Sequence, residues 1–192
     1  MSHFFAYLSR MKFIKRWGLM YSTYPENIQE HSLRVAVIAH ALALIRKQVF
    51  GGQVNPDRTA VLALYHDASE VLTGDLPTPV KYFNPEIKKA YGDLEAAAIE
   101  KLLSMLPPAL QETYAPFFCP DEADREHAEL VKAADKLCAY LKCVEETGAG
   151  NREFAQAEQA LRASVDQLDL PEVQYFMTTF MPSFRLTLDE LH

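Results

Sequence analysis

A run from Leu33 to Ile45 carries apolar residues on nearly every side of a helix wound at 3.6 residues per turn. A helix apolar all round has no face to offer water, so other segments must cover it. No stretch of the chain alternates with the period of two that marks a half-buried strand, and there is no repeat or low-complexity segment. The covering segments are therefore expected to be helices too. The expectation is an all-α fold, a single globular helical domain over residues 1–192 with this run at its centre. A chain of 192 residues, 49% of them hydrophobic, is long enough to bury such a core.

Breakers and caps divide the remainder. Ser2 is placed to cap a helix running to about Lys15, with Phe4, Phe5, Leu8, Met11 and Phe13 as its apolar contacts. Tyr24 to Ile28 reads as a loop. Phe50-Gly51-Gly52 stops the central helix, and Asn55-Pro56 opens the next, whose apolar part runs from Arg58 to Leu72. Thr73 to Pro79 reads as a rigid loop, its two prolines fixing φ and Gly74 allowing a sharp exit. Further helices are expected over Pro85–Leu106, after Ala109 (giving way to a loop around Pro116 and Pro120), and over Arg125–Thr147, Asn151–Gln167 and Pro171–Phe180.

Charge and cysteine usage narrow the partners. Nineteen basic against twenty-six acidic residues give −7, which argues against a nucleic-acid polymer but leaves room for a small anion at a local basic spot. Cys119, Cys138 and Cys143 show no CxxC spacing and read as reduced thiols. No basic-then-apolar leader stands at the start, and no apolar run is expected to reach membrane-spanning length. The expected setting is the cytoplasm, with no membrane partner.

Chemistry concentrates at Tyr65-His66-Asp67-Ala68-Ser69-Glu70. On a helix, His66, Asp67 and Glu70 fall within about a third of the circumference. Three polar groups beside Leu62, Leu64, Val71 and Leu72 are costly to bury unless something charged meets them, and a divalent metal is one such partner. Two solvated acids and a packed histidine are the other reading of the hexapeptide alone. His31 stands at the start of the central helix, whereas His40, nine residues on, faces away and is assigned to packing or surface. Asp135 lies among Ala133, Ala134, Leu137 and Cys138, where an Asp has poor helix propensity and invites a specific partner. His31, His66, Asp67 and Asp135 form a mixed nitrogen and oxygen set suited to Mn, Co, Fe or Zn. Arg10 to Trp17 is a basic cluster closed by the sole tryptophan. It reads either as a solvated helix end or as a phosphate-binding Arg16 beside an aromatic wall.

The order His, then His-Asp, then Asp resembles that of the HD-domain metal-dependent phosphohydrolases. Ser2-His3-Phe4-Phe5-Ala6, Arg16-Trp17, Glu30-His31-Ser32-Leu33, the run from Tyr65 to Asn84 and Cys138 to Cys143 resemble the bacterial HD-domain 5′-deoxynucleotidases in particular. The similarity covers nearly the whole chain and is densest between His66 and Phe83. It implies an HD-type fold in which His31, His66, Asp67 and Asp135 hold one divalent metal, Co and Mn among those used. It further implies that Glu70 is catalytic, that Arg16 orients phosphate, and that Trp17 and Asp75-Leu76-Pro77-Thr78 contact nucleotide. A homodimer acting on deoxyribonucleoside 5′-monophosphates is implied as well. In this reading Asp75 accepts from the 3′-hydroxyl, and Trp17 walls off the 2′ carbon. Two alternatives stand behind it: an HD hydrolase of another phosphorylated nucleotide, and a catalytically silent nucleotide-binding helical dimer.

Overall fold

The computed structural model describes residues 1–81 and 83–191, so Tyr82, within the run quoted above, lies outside the described residues. Ten α-helices follow in order: α1 (Phe4–Leu8), α2 (Ile28–Gln48), α3 (Pro56–Tyr65), α4 (Glu70–Thr73), α5 (Thr78–Lys81), α6 (Pro85–Ser104), α7 (Pro108–Phe118), α8 (Arg125–Gly148), α9 (Ala155–Asp166) and α10 (Pro171–Thr179). Among the described residues there is no strand, only an isolated antiparallel bridge between Lys15 and Asn27.

α2 is the axis of the bundle, packed by α3, α8 and α10. Asn27 caps it, its Oδ1 accepting from the N–H groups of Gln29 and Glu30 at 3.1 and 3.0 Å, and Glu30 completes a capping box. Val35, Ala39, Leu42 and Ala43 are fully buried against Leu130, Leu137 and Leu141 of α8. The helix is not covered all round. Leu33 and Val37 are 60% and 61% exposed, one turn apart on its outer side. At 21 residues α2 is also long and apolar enough, by length and composition, to cross a membrane, contrary to expectation. More than half of it is buried inside the bundle, and it carries Arg34 and Arg46, paired with Glu145 and Glu172.

Several boundaries depart from expectation, and Thr78 and Pro79, read as loop, open the short helix α5. The N-terminal helix does not reach Lys15. His3, not Ser2, is at its cap position with no side-chain cap, α1 ends at Leu8, and a 3₁₀ turn covers Met11–Phe13. The break sends Phe4 into a cluster with Leu102 and Leu106, and Met11 into a second with Ile28 and Ala68. Pro116 lies inside α7 rather than in a loop. The rings around it hold that last turn: Phe117 stacks on Tyr65 at 5.5 Å, and Phe118 packs edge-on to Phe4 at 6.0 Å.

Candidate active site

The continuous helix expected from Arg58 to Leu72 is broken at His66–Ser69. The Ala63 carbonyl, which an α-helix would offer to the Asp67 N–H, instead accepts from His66 Nδ1 at 2.7 Å. The chain then turns with the tighter three-residue pitch, Ala68 N–H to the Tyr65 carbonyl and Glu70 N–H to the Asp67 carbonyl, at 3.1 and 3.0 Å. That pitch eclipses positions three apart, so Asp67 and Glu70 still share a side. With Nδ1 donating to the Ala63 carbonyl, Nε2 is the ring atom turned towards Asp67, 3.2 Å from its Oδ2. Asp67 is its one close polar neighbour, placed without hydrogen-bond geometry, so this buried nitrogen makes no hydrogen bond among the described residues.

His31, fully buried in the first turn of α2, brings its ring to within 5.4 Å of His66. His31, His66 and Asp67 each offer a donor atom within 4.8 Å of the others. Asp135 reaches this group from α8 through His31, its Oδ1 lying 3.0 Å from His31 Nε2. Two imidazoles with carboxylates at their edge, one buried ring nitrogen making no hydrogen bond, are a donor set that fits a divalent cation.

Charge in the pocket is finely opposed. Burial would raise the Asp67 carboxyl, but His66, His31 and Arg16 hold it well below the ordinary carboxylate range. Burial likewise works against ionised Asp135, and His31 and His66 hold it low. Glu70 goes the other way. Burial, with Asp67 and Asp75 nearby, pushes its carboxyl up to about 9, so it keeps its proton at neutral pH. The Asp75 carboxyl is raised by burial as well, less so because Arg16 stands nearby.

Arg16 is not at a helix end. It leaves the Lys15–Asn27 bridge with its N–H bonded to the Glu26 carbonyl at 3.0 Å. The macrodipole reading of the basic cluster therefore does not apply to it. Its Nη1 donates to Asp67 Oδ2 at 3.2 Å, and its Nη2 lies 4.0 Å from Asp135 Oδ1. Burial alone would lower the guanidinium, but Asp67, Asp135 and Glu26 outweigh it. Trp17 follows with φ at 59°, left-handed backbone that a bulky residue rarely adopts. Its ring lies 5.3 Å from Phe154.

Arg16, Trp17, Asp75, Leu76, Pro77, Thr78 and Asp135 line one cleft of about 480 Å³. Gly74 makes the exit from α4 into its rim, at φ 73° and ψ 164°, a region open in practice to glycine alone. Of the residues expected from sequence to touch substrate, only Asp67 is not in this lining; it meets the cleft through its bond to Arg16.

Sequence reasoning missed the supports. Glu26 is 8% exposed and bonds both Arg16 and Trp17. Lys142 and Glu146 form a buried pair that grips the loop after Trp17. Glu146 accepts from the N–H groups of Thr23 and Tyr24 at 2.8 and 3.0 Å, while Lys142 donates to the Tyr24 carbonyl. Spaced i and i+4, that pair reads in sequence as an ordinary solvated one. Its position on the face of Cys138, one and two turns further along, was the available signal.

The sequence matches the family model described as YfbR-like 5′-deoxynucleotidase over residues 3–184. The chain belongs to this 5′-deoxynucleotidase family. A 5′-deoxynucleotidase of Vibrio parahaemolyticus is 60% identical over 190 residues, covering 99% of this chain and 98% of the relative. The Escherichia coli 5′-deoxynucleotidase YfbR is 55% identical, at 99% and 96% coverage. Among solved structures, an HD-domain phosphohydrolase from Listeria innocua superposes with a TM-score of 0.81 over 95% of this chain and 88% of its own. At 24% identity that likeness establishes the HD fold for this family member. A cyanophage S-2L HD phosphohydrolase, solved with dA and one catalytic zinc ion, is 27% identical with a TM-score of 0.65, covering 95% and 96%.

Proposed function

We infer that the chain is a metal-dependent 5′-deoxynucleotidase that hydrolyses deoxyribonucleoside 5′-monophosphates to deoxyribonucleoside and phosphate. The observation that carries this reading is the meeting, in one pocket, of the His31 and His66 rings with the Asp67 and Asp135 carboxylates and the Arg16 guanidinium. His31, His66, Asp67 and Asp135 would hold one divalent ion, which supplies a bound water of lowered pKa and a charge for a phosphate oxygen. Arg16 meets the remaining phosphoryl oxygens with two parallel donors. In the reaction a water oxygen bonds to phosphorus, the bond from phosphorus to the 5′-oxygen breaks, and that oxygen takes a proton. Glu70, beside the cluster but outside the donor set, handles the proton. Asp75 accepts from the 3′-hydroxyl, Leu76 to Thr78 form the rim over the nucleoside, and Trp17 crowds the 2′ carbon so that a ribose hydroxyl there would lie unpaired.

Co or Mn is the ion proposed, the enzyme working as a homodimer in the cytoplasm. The exposed Leu33 and Val37 supply an apolar stripe for a second copy, and the three free cysteines fit a reducing compartment. The test is phosphate release from a panel of deoxy and ribo 5′- and 3′-monophosphates with each divalent metal added in turn. Release from deoxyribonucleoside 5′-monophosphates alone is the expected pattern. Equal release from 3′-monophosphates would overturn the reading.

A further inference from the structure

Glu26 lies outside the donor cluster. It is buried between Pro25 and the capping Asn27 and touches two functional side chains at once. Its Oε2 accepts from Arg16 Nε at 3.2 Å and from Trp17 Nε1 at 3.3 Å. Its own carbonyl accepts from the Arg16 N–H at 3.0 Å. We propose that Glu26 is a positioning residue whose one carboxylate oxygen fixes the phosphate-facing arginine and the sugar-facing tryptophan in a single geometry. This rests on the roles given above to Arg16 and Trp17.

The physical reason lies in what each group would do alone. A guanidinium beside Asp67 and Asp135 is drawn to them through whichever nitrogen arrives first. Holding Nε leaves Nη1 and Nη2 as the pair that faces the cluster, at 3.2 and 4.0 Å from the two aspartates. Trp17 sits on left-handed backbone, where its carbonyl accepts from the Met20 N–H at 2.9 Å. Its ring is fixed by Phe154 on one side and by Glu26 at the indole nitrogen. Because one oxygen serves both partners, losing it disturbs rate and sugar choice together. Substitutions at Arg16 or Trp17 separate the two.

The test uses the full-length, metal-loaded protein as E26A and E26Q. E26A is expected to lower kcat/KM on a deoxyribonucleoside 5′-monophosphate by about ten- to a hundred-fold, and to shrink the deoxy-to-ribo ratio. Combining E26A with W17A should leave the ratio no lower than W17A alone, since both act through one ring. The sole tryptophan gives a second readout free of turnover. Its indole N–H resonance should move upfield in E26A as the hydrogen bond is lost. In E26Q, which keeps an oxygen in place, it should stay near the wild-type position. An unchanged indole resonance and ratio in E26A, with the fold intact, would overturn the proposal. If W17A itself leaves the ratio unchanged, the sugar-wall reading fails instead, and the rate and the resonance still decide for or against Glu26.

Discussion

At the scale of single residues, the proposed roles are separable by experiment. Replacing His31, His66, Asp67 or Asp135 by Ala should abolish phosphate release and lower bound metal measured by atomic absorption, with the helical circular dichroism retained. The proposed set of four ligands would leave no spare. Glu70→Ala should keep its metal and lose about a hundredfold or more in kcat, because a proton-handling group acts in the step and not in the binding. Loss of metal from that variant would make Glu70 a ligand. Trp17→Ala should narrow the deoxy-to-ribo gap by about ten- to two-hundred-fold, the range a steric wall supplies. Arg16→Ala should lower the rate on both sugars and leave the gap in place. Measuring kcat/KM for one base in both sugar forms distinguishes the two.

At the scale of elements, the cleft is shaped by loops that helices hold from outside. Gly74→Ala puts a Cβ on backbone at φ 73° and ψ 164°, at a cost of about 1–3 kcal/mol. The expected result is a lower melting temperature and a raised KM, as the Asp75–Thr78 rim moves. The loop after Trp17 depends on Glu146. Burial would raise that carboxyl, but Lys142, the Tyr24 N–H, Asn151 and the Thr23 N–H bring it down to about 2, from an ordinary 4.5. A depressed carboxylate stabilises the fold above its unfolded pKa and ceases to do so as the folded group protonates. Glu146→Gln should therefore lower the melting temperature by a constant amount above pH 5. The gap from wild type should close as pH falls from about 4.5 towards 2. A gap that persists at pH 2 would refute the assignment.

These elements also mark where sequence reasoning succeeds and where it stops. The long helices and the buried middle of α2 follow from periodicity, and the Gly74 exit follows from residue type. The histidine-aspartate pair was legible, yet its continuous helix was not real: the Ala63 carbonyl bonds the His66 ring, a local competition that periodicity does not register. Asp67 and Glu70 still converge because the tighter pitch brings them to one side. Arg16 was found through its neighbour Trp17, but its non-helical setting depends on the Lys15–Asn27 bridge across a loop. Glu26 is not legible because it acts across a loop on side chains outside any helical or strand period, and Glu146 because it acts on backbone more than 120 positions earlier.

At the scale of the whole molecule, the proposed donors come from α2, from the turn between α3 and α4, and from the middle of α8, so no single element contains the set. A cation held by all three would act as a clasp across the bundle. Whatever binds the folded form alone shifts its unfolding equilibrium by mass action, by about 2.7 kcal/mol when free metal stands at a hundred times its dissociation constant. Titrating cobalt or manganese into chelator-treated protein should raise the melting temperature, and Asp135→Ala should flatten that rise. The melting curve would then serve as a gauge of metal choice even where turnover is too slow to follow, ranking ions by how firmly they fasten three distant parts of one chain.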